Sequence, residues 1–184
     1  MKDVLVVGGG PGGLLLAHLL REHGIDHLVL ERGKIAQSWR MMRQGMILLS
    51  PSVPGTDWTS LTLKDPLWAL PGAQRPFPSR EDFLCYVDAF AREHLLRVAE
   101  NTEVARAAVV PGGFALSVPG GEQRCRFLVV ATGASTQPSF PGIPGLSGNP
   151  FVVHSGDFVH CMAYSGKRVL VVGGGNSAAE IAIA

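Results

Sequence analysis

The chain has 184 residues, of which 46% are hydrophobic and 17% charged, and its formal net charge is +1. That length allows one substantial core, or one domain with part of another, and the apolar content excludes a disordered chain. A balance this close to neutral gives no electrostatic basis for partners such as nucleic acid or an acidic membrane surface.

In chain order, the apolar run Val4-Leu5-Val6-Val7 predicts a buried parallel strand that enters glycine directly. Lys2 and the apolar stretch to Leu20 do not make a signal peptide, because Asp3, five glycines and Pro11 interrupt it. A first helix is predicted from Gly12 to His23, closed by Gly24, and a second strand from His27 to Leu30, ending in Glu31-Arg32. Residues Met46 to Pro78 read as loop, and the tryptophans inside it, Trp58 and Trp68, as packing anchors. Ser79 caps a predicted helix with Glu81 and Asp82 in its first turn and Phe83, Leu84, Val87 and Phe90 on its core face. Strands are predicted over Thr102–Val110, Phe114–Val118 and Arg124–Ala131, separated by Pro-Gly turns. A connector from Gln137 to Pro150, a strand near Phe151–His154 and a strand over Val169–Val172 complete the order.

Two glycine fingerprints organise this pattern. In the first, Gly8-Gly9-Gly10-Pro11-Gly12-Gly13, Gly8 would make the sharp turn, Gly10 would let a pyrophosphate approach the backbone, and Gly13 would let helix and strand pack closely. The helix N-terminus would present free N–H groups and a partial positive charge to the phosphates. Glu31, eighteen residues after Gly13, stands where a carboxylate accepts ribose hydroxyls and repels a 2′-phosphate, so FAD or NAD suits this site better than NADP. The second fingerprint, Gly173-Gly174-Gly175-Asn176-Ser177-Ala178, has alanine in place of the third glycine, with side-chain donors from Asn176 and Ser177. Two dinucleotide sites in one chain suggest electron transfer between them.

Other chemistries find less support. Cys85, Cys125 and Cys161 form no Cys-x-x-Cys pair, and unpaired buried cysteines in a reducing cytoplasm are expected. Gly24 separates His23 from His27, so no shared metal is expected. Neither glycine loop ends in the Gly-Lys-Ser/Thr of a P-loop, and no nucleophile elbow is present.

The order Gly8–Gly13, Glu31-Arg32, Ser38-Trp39-Arg40, Ala131-Thr132-Gly133 and Gly173–Ala178 resembles the flavin-containing monooxygenases. The likeness is to the bacterial flavoproteins related to plant YUCCA-type and Baeyer–Villiger monooxygenases, and it spans about the N-terminal half of a usual member. It implies an α/β fold: a Rossmann-like FAD-binding domain over residues 1–150, with a parallel sheet and β-meander, then the linker and first strand-turn-helix of an NAD(P)-binding domain over 151–184. The cofactors implied are FAD at the first fingerprint and NADPH at the second. Glu31, Arg32, Ser38 and Trp39 would run along the flavin, Asn101-Thr102-Glu103-Val104 would be the segment whose backbone meets the adenine, and Ala131, Thr132 and Gly133 would form the junction between domains. Arg40 and His154 are the candidate catalytic contributors by the same resemblance. His154-Ser155-Gly156-Asp157-Phe158 is similar to the end of the monooxygenase linker motif, although Leu146-Ser147-Gly148 departs from its front. Ser52 stands where many members place an asparagine facing the flavin. The implied reaction passes hydride from NAD(P)H to the flavin and then oxygen from dioxygen to a small organic substrate; an oxidoreductase without oxygenation, or a module without turnover, is the alternative. A cytoplasmic location is expected, and a homodimer is left open.

Overall fold

The computed structural model describes residues 1–73, 75–134 and 138–183. Its sheet contains β1 (Lys2–Val7), whose residues Val4, Leu5 and Val6 are buried and which is paired along both edges. Helix α1 (Pro11–Glu22) follows, with Pro11 in its first turn, where a missing N–H costs no helical bond. It stops at His23, and Gly24 adopts φ +66°, the left-handed conformation a helix end commonly needs. Strand β2 (His27–Leu30) then pairs parallel to β1.

Between β2 and the next sheet strand lie a short helix, α2 (Gln37–Arg40), a hairpin of β3 (Ser52–Val53) and β4 (Thr56–Asp57), and α3 (Arg80–Glu93). The predicted cap of α3 is present in full. The Ser79 hydroxyl accepts the Asp82 amide at 3.1 Å, and the Asp82 carboxylate accepts the Ser79 amide at 2.8 Å. Phe83, Leu84, Val87 and Phe90 are buried as their spacing predicts, packed with Leu14, Leu48 and Leu67. Each such side chain contributes roughly 1.5–3 kcal/mol of burial, and together they hold α3 against α1.

The remaining strands are β5 (Val98–Ala99), β6 (Arg106–Val110), β7 (Gly113–Val118) and β8 (Gly121–Val130). The six-stranded order is β5-β2-β1-β8-β7-β6. Strand β8 does two jobs: its first half pairs antiparallel with β7, and its second half runs parallel to β1. The meander is thereby joined to the parallel sheet. One face of the sheet buries Val4, Val6 and Val29 under Ala17 of α1, and the other buries Leu5, Leu30, Leu116 and Cys125.

Three sequence expectations are corrected. Thr102–Val104 is a loop and β6 starts at Arg106, because the Thr102 amide is drawn to the Glu31 carbonyl at 2.8 Å. The strand expected near Phe151–His154 is a turn, and His154 caps the 3₁₀ turn Ser155–Asp157 through its Nδ1, which accepts the Gly156 amide at 3.0 Å. Val169–Val172 is not paired as a strand: among the described residues no neighbouring strand meets its backbone groups, and β-propensity alone does not make a strand. Helix α4 (Asn176–Ile183) does follow the second glycine turn. The connector begins at Gln137, which lies outside the described residues. No described helix is long and apolar enough to cross a membrane.

Candidate functional site

Strands β1, β2 and β8 all point their C-terminal ends the same way, and a cavity of about 580 Å³ opens there. This is the end of a parallel sheet at which open α/β folds bind ligands, and the volume lies in the usual range for cofactor sites. The glycine turn between β1 and α1 forms one wall. Gly8 sits at φ +114°, its amide donating to the Leu30 carbonyl at 2.8 Å; a Cβ there would stand 2.3 Å from the Ala131 carbonyl oxygen. A Cβ on Gly13 would stand 1.9 Å from the Gly8 carbonyl oxygen, so α1 crosses β1 at a distance only glycine permits. Gly10 and Gly12 differ: a Cβ on either meets no protein atom within 4 Å, and both line the cavity.

Glu31 is the other fixed point. It is only 7% exposed, and its two carboxylate oxygens are divided between two loops. Oε2 accepts the Gly9 amide at 2.7 Å and Oε1 the Gly33 amide at 2.9 Å. Each oxygen keeps a further lone pair for a hydroxyl donor. The Asn101 amide donates to the Gly33 carbonyl at 2.9 Å and the Ala36 amide to the Gly9 carbonyl at 2.9 Å, which ties the loops after β1, β2 and β5 into one frame.

Of the residues expected at the first dinucleotide site, Gly8, Gly10, Pro11, Gly12, Glu31, Arg32, Ser38, Trp39, Val104, Ala131, Thr132 and Gly133 all border this cavity. Gly13 lies behind the wall. Trp39 packs at a tilt against Phe83 of α3, ring centroids 4.4 Å apart and planes 44° from parallel. Thr102 and Glu103, expected beside Val104, line the cavity too, whereas sequence reasoning missed Gln37 and Met42.

Arg40 and His154 do not border the cavity. The Arg40 guanidinium grips Asp88 of α3 through Nη2, at 2.5 Å to Oδ1 and 2.7 Å to Oδ2, while Nε donates to the Ile35 carbonyl at 2.8 Å. His154 packs edge-on against Phe140. Gly173, Gly175, Asn176, Ser177 and Ala178 form a separate turn, with Gly173 at φ +134°, away from the first cavity. Ser52 is buried in β3 and does not reach the cavity. Trp58 is 78% exposed rather than an anchor, and neither it nor Trp68 lines the cavity. Cys125 is buried as expected, but Cys85 and Cys161 are exposed, and none of the three thiols lies in the cavity wall.

A glycine turn and helix N-terminus facing a buried acid at the ends of parallel strands define a dinucleotide-binding protein. The chain belongs to the pyridine nucleotide-disulphide oxidoreductase family, which it matches over residues 5–184. Among curated relatives it is 32% identical to indole-3-pyruvate monooxygenase YUCCA4 of Oryza sativa subsp. japonica, over 100% of this chain and 44% of that protein. Among solved structures it is similar to bacillithiol disulfide reductase Bdr (YpdA) from Staphylococcus aureus, with a TM-score of 0.86 and 27% identity over 99% of this chain and 53% of that one. A flavin-containing monooxygenase from Stenotrophomonas maltophilia matches with a TM-score of 0.77 and 26% identity, over 98% and 53% of the two chains. OTEMO in complex with FAD and NADP matches with a TM-score of 0.65 and 25% identity over 79% of this chain and 28% of that one. The chain spans about half the length of the curated relatives it matches.

Proposed function

We propose that this chain forms the FAD-binding part of an NAD(P)H-dependent flavoprotein monooxygenase acting on a small organic substrate, with residues 1–150 holding FAD and 151–184 opening the coenzyme-binding domain. The observation that carries the reading is the cavity itself: Gly10 and Gly12 leave open the space a Cβ would fill, and the buried Glu31, each of whose oxygens accepts one backbone amide, borders the same cavity. These residues fit the group. The α1 N-terminus would hold the pyrophosphate, Glu31 the adenosine ribose, the loop Thr102–Val104 the adenine, and Trp39 with Met42 the far end of the cavity. When bound, the flavin supplies the redox chemistry, accepting hydride from NADPH and activating dioxygen. The chain's own part is to position it, exclude water and fix its hydrogen bonds. Gly173–Ala178 would hold the NADPH pyrophosphate in the same manner. Arg40, anchored to Asp88, would act by holding α2 and Trp39 in place rather than by touching the flavin.

The likeness to a disulfide reductase supports a second reading, an FAD-dependent NAD(P)H oxidoreductase without oxygenation. Against thiol chemistry at the flavin stands the cavity wall, which contains no cysteine among the described residues.

The chain is purified, incubated with FAD, freed of excess and examined by absorption spectroscopy, then reduced with NADPH anaerobically and exposed to dioxygen. Retained flavin that NADPH bleaches, with oxygen consumption exceeding hydrogen peroxide release in the presence of an acceptor, supports the monooxygenase. Quantitative peroxide release favours the second reading, and a folded chain that retains no flavin overturns both for this chain.

A further inference from the structure

We infer that Arg43 and Glu180 form a latch that ties the second glycine-rich helix to the segment that follows Met42 of the first cavity. The inference rests on the two-site reading above and names the contact that sets one site relative to the other. Arg43 Nη2 donates to Glu180 Oε2 at 2.6 Å, across 137 positions of sequence, and the side chains are only 21% and 24% exposed. Shielding of that degree lets a pair resist salt better than an open surface pair does.

Both ends are anchored. Arg43 follows Met42, which lines the first cavity, and the Arg80 guanidinium at the start of α3 donates through Nη1 to the Arg40 carbonyl, at 3.1 Å, and to the Met42 carbonyl. Arg40 itself is held to Asp88. The segment from Arg40 to Arg43 therefore moves with α3. Glu180 lies four residues after Asn176, on the same face of α4, so the side of the helix that carries Asn176 at the glycine turn is the side drawn toward Arg43. The other support of α4 is the 3₁₀ turn Ser155–Asp157, against which it packs. An eight-residue helix has little stability of its own, and a charged tether on its second turn sets where its N-terminus points. Arg43 and Glu180 are thus positioning residues: they touch neither cofactor site, but they orient the helix N-terminus that would present the coenzyme.

The test compares the wild-type chain with Arg43→Gln, Glu180→Gln and the charge-swapped double variant Arg43→Glu/Glu180→Arg. Amide hydrogen exchange over residues 176–183 is read by mass spectrometry, and flavin retention is read by absorbance. A latch predicts exchange about fivefold faster in α4 in each single variant, with flavin retention unchanged, and restoration in the swapped pair. In chain that binds FAD, the rate of flavin reduction at saturating NADPH should fall in the single variants and recover in the swap, a split that general destabilisation would not give. Unchanged exchange in the single variants, or a swap that restores neither readout, overturns the latch. Failure of the wild-type chain to take up FAD would count against the functional reading alone, because the exchange measurement needs no flavin.

Discussion

Glu31 and Gly9 are joined by a 2.7 Å hydrogen bond from the Gly9 amide to Oε2, so the acid at the end of β2 is built into the glycine turn at the end of β1. Its other oxygen holds Gly33. The carboxylate that would recognise a ribose is therefore also the brace that shapes the phosphate cradle, and binding and folding draw on the same group.

Glu31→Gln should lower both stability and flavin affinity. The amide nitrogen of glutamine would face a backbone N–H that it cannot accept from, leaving a buried donor without a partner at a cost of about 2 kcal/mol. Urea denaturation and a flavin titration of the same sample should move together. Full stability with weakened flavin binding would show that Glu31 serves only the ligand.

Gly12→Ala and Gly13→Ala should separate the two functions of the turn. At Gly13 the new methyl would lie 1.9 Å from the Gly8 carbonyl oxygen, and backbone must move to admit it, with an expected loss of about 3 kcal/mol or more. At Gly12 the methyl meets no protein atom within 4 Å and adds helix propensity, so the fold should be kept while the flavin is displaced. Thermal melts followed by circular dichroism, with flavin retention on the same samples, check the pair. Equal melting temperatures in the two variants would contradict the close helix–strand crossing.

Asp57 should make the β3–β4 hairpin sensitive to acid. Burial works to raise its pKa, but hydrogen bonds from the Ser60 hydroxyl and amide and the Thr59 amide outweigh it and hold the carboxyl below its ordinary 3.8. A depressed folded pKa contributes stability that is fully present above the unfolded value and is lost as pH falls through the folded one. The stability gap between the wild-type chain and Asp57→Asn should therefore be constant near neutrality and close below about pH 4. Urea midpoints measured from pH 6 to pH 2 give the comparison, and a gap independent of pH would remove Asp57 from the account.

Much of the lining of the first cavity was legible in the sequence. The glycine turn, Glu31, Trp39 and the junction Ala131–Gly133 each carry a local reason for being where they are, and the strand-turn-helix pattern is short enough for sequence to express it. Gln37 escaped notice because α2 has four residues, too few to show a period, and Met42 because it lies in the irregular segment just beyond the helix. Arg40 and His154 went the other way. Resemblance picked them out by position, yet Arg40 is drawn off by Asp88, 48 residues later, and His154 folds back to cap its own turn. No local pattern announces a partner as distant as Asp88 is from Arg40.

By itself the sequence determined the elements whose stabilisation is local: the apolar run of β1, the α1 turn that needs glycine, the capped and amphipathic α3, and the acid at the end of β2. Only the tertiary structure decided what those elements face. It set β8 beside β1, divided the Glu31 carboxylate between Gly9 and Gly33, left Val169–Val172 unpaired among the described residues, and joined Arg43 to Glu180. The physical reason is that caps and periodicity act within a few residues of the chain. Strand pairing and ion pairing depend instead on which groups the packed chain brings within bonding distance.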